Sequence, residues 1–247
     1  MNKYSARKYV SIGLVLALGS MRVAAAESPT MDHALMDDDP IIGSVLVDEL
    51  EWQDTSPADA MAWDVSAWIG RDKGRVLLRS EGESVNGDIE GLRAELLWWR
   101  PVATWWNVVG GLRQDAGTGP GRTYGLIGIE GLAPYWFHVE ADLFGGERGQ
   151  FGTRIESSYE VRLTNRLILT PRMELQAFSR DDEATGIGSG LSKLEAGLRL
   201  RYEIRREFAP YIGIEWTGSL GDTADMARTA DEPVRDTHLV AGLRFWF

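Results

Sequence analysis

The chain has no cysteine. That removes disulfides, thiolate metal sites and cysteine nucleophiles. A secreted chain without disulfides has to be held by its core or by a closed sheet. No stretch after residue 26 offers 18 consecutive apolar residues, so no later transmembrane helix is expected. The GxSxG, HExxH, P-loop and CxxC motifs are absent, and with them the commonest enzyme signatures. Gly-Ile-Gly-Ser-Gly at 186–190 lies between two expected strands, not between a strand and a helix, and reads as a flexible loop. Positive charge is also short. The formal net charge of −11 repels nucleic acid and favours cations. Histidine is limited to three residues.

What is present begins with a leader. Lys3, Arg7 and Lys8 precede a short apolar run from Val10 to Met21, and Ala24-Ala25-Ala26 stands before Glu27. Residues 1–26 read as a secretory signal peptide, because the run is too short to span a membrane. Removing Lys3, Arg7, Lys8 and Arg22 takes the charge from −11 to −15 and leaves about 221 residues, the size of one domain. Mean hydropathy is −0.21, which a barrel with a polar lumen shares with soluble proteins. Ten tryptophans suit membrane interfaces, where ring and N–H want different surroundings.

The last eleven residues, THLVAGLRFWF, alternate strictly. Leu239, Ala241, Leu243, Phe245 and Phe247 share one strand face, and His238, Val240, Gly242, Arg244 and Trp246 the other. An apolar outer face, an aromatic end and an inward charge suit a closed barrel in lipid. The terminal Phe resembles the signal read by the outer-membrane assembly machinery, which makes that machinery and outer-membrane lipid expected partners. The same alternation recurs, so the expected fold is all-β: a closed antiparallel transmembrane β-barrel of about 12 strands over 44–247, with a disordered periplasmic tail at 27–43. Strands are expected near 44–53, 61–71, 75–83, 88–99, 104–115, 122–131, 135–144, 150–163, 166–179, 192–204, 209–217 and 236–247. Short and long connections alternate if 84–87 and 145–149 count as long. An even strand count places both termini in the periplasm. Two strands are irregular. Pro171 removes a ladder donor, which predicts a bulge. Strand one has acids on both faces, and its odd face (Val45, Val47, Glu49, Glu51) is taken as lumenal.

Several residues could carry metal chemistry. Met31, His33 and Met36 lie together in the tail; thioether sulfur suits Cu(I), and imidazole with carboxylate suits Cu(II). The same segment also reads as a plain linker. His138, Glu140 and Asp142 alternate along strand seven and face the lumen, where they could hold a divalent cation or join a hydrogen-bonded network. His238 faces inward next to strand one, where Glu49 or Glu51 would meet it. Charges of both signs, from Arg79 and Glu81 to Arg244, also face inward and should pair across strands and fill much of the bore.

VLVDELEW (45–52), AWDVSAWIG (62–70), LRSEGE (78–83), GLAPYWFHVEA (131–141), LTNRLILTPRMEL (163–175), the run from Gly186 to Trp216 and LVAGLRFWF (239–247) together resemble the copper resistance protein B family. The resemblance covers nearly the whole mature chain. It implies a non-enzymatic protein of the bacterial cell outer membrane that binds copper ions and contributes to copper resistance and homeostasis, by sequestration or export of periplasmic copper. Met31, His33, Met36, His138, Glu140 and His238 are its candidate metal residues. A periplasmic multicopper oxidase is a partner the resemblance admits. Family members often carry a long tail of repeated Met/His motifs; here only Met31, His33 and Met36 match it. Two other readings stay open: a narrow non-specific channel or structural barrel, and an outer-membrane hydrolase, for which no Ser has an evident His partner.

Overall fold

The computed structural model describes residues 39–55, 58–117, 119–146 and 149–247. Met31, His33 and Met36 lie outside them. Twelve antiparallel strands run in chain order: β1 (Ile42–Gln53), β2 (Ala60–Arg71), β3 (Gly74–Val85), β4 (Asp88–Ala103), β5 (Trp106–Gly117) and β6 (Arg122–Ala133). They continue with β7 (Phe137–Gly146), β8 (Phe151–Ser158, resuming as Val161–Arg162), β9 (Leu167–Phe178), β10 (Gly190–Tyr202), β11 (Phe208–Ser219) and β12 (Arg235–Trp246). Each pairs with its neighbours in sequence, and β12 returns to pair with β1. The sheet is therefore a closed barrel, as the alternation predicted. A strand of 12 residues is about 40 Å long, and at a tilt of about 40° it crosses about 30 Å, the thickness of a bilayer core.

The connections after even-numbered strands form one end and include 72–73, 104–105 and 134–136. The other end carries 179–189 and 220–234. One connection at that second end is short: β3 and β4 are joined by Asn86 and Gly87 alone, with φ of +52° and +87°. This mirror-image two-residue turn matches the twist of a hairpin, so the expected strict alternation of lengths fails there. The 220–234 connection contains a helix, α1 (Gly221–Thr229), where only a loop was expected. Asp222 in its first turn and Arg228 in its last suit the helix dipole.

The proline in β9 acts differently from the expected bulge. Arg172 pairs with Ser158 and Leu169 with Val161, three steps on each strand, so no residue is inserted. β8 is instead interrupted at 159–160: the Tyr159 N–H donates to the Pro171 carbonyl at 3.1 Å, but Pro171 has no N–H to return. A bulge that reorients which side chains face the bore does occur in β1. Val47 pairs with Val65 and Glu49 with Asp64, leaving Asp48 as the extra residue. Val45 and Val47 thus pair with outward-facing Ala67 and Val65, while Leu50 and Trp52 face outward beyond the bulge. The odd face is lumenal only from Glu49 onward.

The outer surface is apolar. Ile127, Leu143 and Ile212 are 65, 62 and 63 % exposed, while their chain neighbours Leu126, Phe144 and Tyr211 are buried inside. Aromatic residues gather at the short-turn end, where Trp105 meets Trp136 edge to face at 5.5 Å and Phe137 lies 4.8 Å from Tyr159. Trp52 and Phe151 mark the opposite rim. Ile127 sits midway along β6 on this lipid face. Ile127→Arg is expected to lower folded stability by about 2–4 kcal/mol. Urea unfolding in lipid vesicles checks this, and an unchanged midpoint would contradict a lipid-facing position.

Candidate functional site

The bore is filled in two ways. One wall, from β3 to β7 and β9, turns Leu77, Leu97, Val109, Tyr124, Leu126, Phe144 and Phe178 inward as an apolar cluster. Adjacent apolar residues such as Leu77-Leu78 and Leu126-Ile127 are the trace of this wall, since each pair serves both faces of a strand. Cations cap the cluster. The Arg75 guanidinium lies 4.1 Å from the Trp68 ring and 4.5 Å from the Trp99 ring. Arg113 lies 4.2 Å from the Phe144 ring and makes two bonds to Asp115, at 2.7 and 2.8 Å.

The rest of the bore holds an arginine–carboxylate lattice. Arg172 on β9 donates to Glu49 on β1 at 2.7 Å and pairs with Glu156 at 2.9 Å. Arg199 on β10 bonds Glu51 at 3.0 Å and Glu215 at 2.6 Å. Arg154 bonds Glu174 at 2.7 Å and also pairs with Glu156. Arg79 pairs with Glu130 and, at 3.1 Å, with Glu140. Arg93 on β4 pairs with Glu81 and approaches Glu174 on β9 at 3.9 Å. Contacts between strands that are not neighbours cross the bore, as the inward charges predicted. Tyr211 adds an O–H donated to Glu51 at 2.9 Å. It lies over Gly242, where a Cβ would fall 2.6 Å from the ring. Sequence reasoning had given neither residue a role.

Above this lattice, toward the 179–189 and 220–234 connections, is a chamber of about 670 Å³. Glu81, Glu83, Glu195, Glu215, Asp236 and His238 are among its lining residues, and Arg172 and Glu49 reach its inner end. The connections above are tied together: Ser189 Oγ donates to Asp222 at 2.9 Å, and Arg122 clasps Asp182 at 2.8 Å.

The candidate residues take separate places. His138 is exposed at the start of β7, at the short-turn end. Glu140 faces the bore but is engaged by Arg79, and by Arg154 at 3.8 Å. Asp142 is 2 % exposed, and its Oδ2 has no hydrogen-bond partner. His238 is buried near the start of β12, at the opposite end of the barrel from His138. Glu49 and Glu51 do not meet it, because Arg172 and Arg199 hold them; Glu215 is its cross-strand partner. Among the described residues, no three His, Asp or Glu side chains stand in a ready ligand cage.

With the fold and bore in view, comparison with known proteins gives concordant results. The family described as "Copper resistance protein B precursor" matches residues 41–247. The chain is 49 % identical over 210 residues to a copper resistance protein B homolog of Pseudomonas syringae pv. tomato, covering 85 % of this chain and 71 % of that one. It is 45 % identical over 223 residues to copper resistance protein B of Escherichia coli, covering 90 % and 75 %. Among solved structures, the NanC porin aligns with a TM-score of 0.54 at 11 % identity, and the KdgM porin with 0.52 at 13 %. Each covers 83 % of this chain and 99 % of its own, and at that identity the likeness speaks for the fold alone.

Glu174 is the most buried carboxylate of the Arg154 group and also approaches Arg172 at 3.6 Å. Glu174→Gln leaves those arginines short of countercharge, and breaking one side of a buried pair costs about 3–5 kcal/mol. The expected result is a lower urea midpoint for the barrel in vesicles. An unchanged midpoint would show that the lattice contributes no stability.

Proposed function

The chain belongs to the copper resistance protein B family, and on that premise we propose that it binds copper ions at the outer membrane and so keeps periplasmic copper tolerable. The observation that carries the reading is the arginine–carboxylate lattice across the bore, with Arg172–Glu49 at 2.7 Å as its longest reach in sequence among the bonds of Arg172. A blocked bore with excess carboxylate suits holding a cation better than free diffusion. In this reading Met31, His33 and Met36 form a periplasmic capture segment, offering thioether to Cu(I) and imidazole to Cu(II). His138 and Glu140, at the end where β1 begins, and His238, at the far end, act as separate contact points. A periplasmic multicopper oxidase is the partner proposed to act on the same copper. Family and fold both favour a non-enzymatic role.

Titration of protein extracted from outer membranes with Cu(I) and Cu(II) tests the reading. Met31→Ala/His33→Ala/Met36→Ala should lower the stoichiometry. If it stays at the wild-type value, the tail has no part in the mechanism. In cells, loss of the protein should raise periplasmic copper and copper sensitivity; equal growth and equal copper would overturn the resistance role.

The porin-like fold supports a second reading, a narrow channel. Planar-bilayer recording separates the two. The expected result is little ohmic current for the wild type and a clear increase for Arg172→Ala, which opens the lattice at its crossing. A large wild-type conductance insensitive to copper would favour the channel.

A further inference from the structure

His238 is the unusual polar group of the chamber. Its side chain is 7 % exposed, and neither ring nitrogen makes a hydrogen bond. Nδ1 lies 3.4 Å from Asp236 Oδ2 without bonding it. A buried imidazole without partners is costly unless something completes it. The residues paired with it along and across the strands are carboxylates. Asp236 is two residues earlier on the same strand face, and Glu215 stands directly across on β11. Directly opposed residues bring their Cβ atoms within about 5 Å, and residues two apart on one strand lie about 7 Å apart. Glu83 and Glu195 line the same chamber, together with Lys193, which pairs with Glu195.

Resting on the copper-binding reading, we infer that His238, Asp236 and Glu215 form a site for a divalent transition-metal ion, entered from the end of the barrel that carries the long connections. One imidazole nitrogen with carboxylate oxygens is a donor set for Cu(II) and its neighbours rather than for Cu(I). The ion would draw Glu215 from Arg199, which keeps Glu51 at 3.0 Å and Glu49 at 3.2 Å. Glu83, with three rotatable bonds, supplies a further oxygen from the same chamber. The lattice below the chamber makes it a blind pocket, so the ion is captured and released on that one side. Where short turns face the periplasm, that side is the cell exterior.

The three histidines allow a clean test. In a background of Met31→Ala/His33→Ala/Met36→Ala with His138→Gln, His238 is the sole imidazole of the processed chain. Protein with these changes, extracted from outer membranes, is titrated with Cu(II) and followed by electron paramagnetic resonance. The expected signal carries splitting from one imidazole nitrogen, disappears with His238→Gln, and needs about tenfold more Cu(II) with Asp236→Asn. Heat-modifiable migration on gels verifies folding of each variant; the Asp236→Asn titration alone decides if His238→Gln does not fold. A nitrogen signal that survives His238→Gln overturns the inference. So does its absence in the background protein while the wild type binds copper, which leaves the tail-based reading intact. If the wild type binds no copper at all, both fall together.

Discussion

A backbone in hydrocarbon has to satisfy every N–H and C=O within the protein, and closure of this sheet between β1 and β12 meets that demand. The rest of the molecule follows from it. Closure fixes which side chains see lipid and which share the bore. Twelve strands make a bore narrow enough for arginines on one wall to reach carboxylates on another. The lattice is therefore a consequence of strand number as much as of charge. It also makes the bore an interior in its own right, with an apolar cluster on β3–β7 and β9 and an ionic lattice that runs through those strands and across to β1 and β10.

Much of the architecture was legible in the sequence because one residue in two faces lipid. Strands such as β12 carried that period without interruption, and the terminal run placed His238 and Arg244 inward correctly. What was not legible has physical causes. The apolar wall has no alternation to read, since a strand buried on one face and lipid-facing on the other is apolar on both. Pro171 advertised an irregularity but not its form; the missing donor was met by a gap in the neighbouring strand instead of an inserted residue. Helix α1 is a short polar segment whose signal is weak beside that of the strands. Partner choice within the lattice was equally hidden. Glu49 and Glu51 were rightly placed inside, but three-dimensional reach gave them to arginines instead of His238.

Among the described residues, the candidate histidines divide between the two ends of the barrel. His138 belongs to the short-turn end and His238 to the chamber end, with the Arg–Glu lattice between them. A family role in copper resistance does not require them to act as one site. On the proposed reading, separate sites on either side of the lattice would let the protein respond to copper in two compartments. The porin-like scaffold supplies the wall, and the lattice spans its bore.

The extra residue at Asp48 reverses the faces of β1. Below it, β1 presents odd residues to lipid; above it, even ones. Two adjacent acids, Asp48 and Glu49, thereby point the same way, one to Arg244 on β12 and the other to Arg172 on β9. The first strand thus works as a phase-shifter. It grips both its neighbour in the closing seam and a strand across the bore, so that the last hydrogen-bonded junction of the cylinder is also riveted from within.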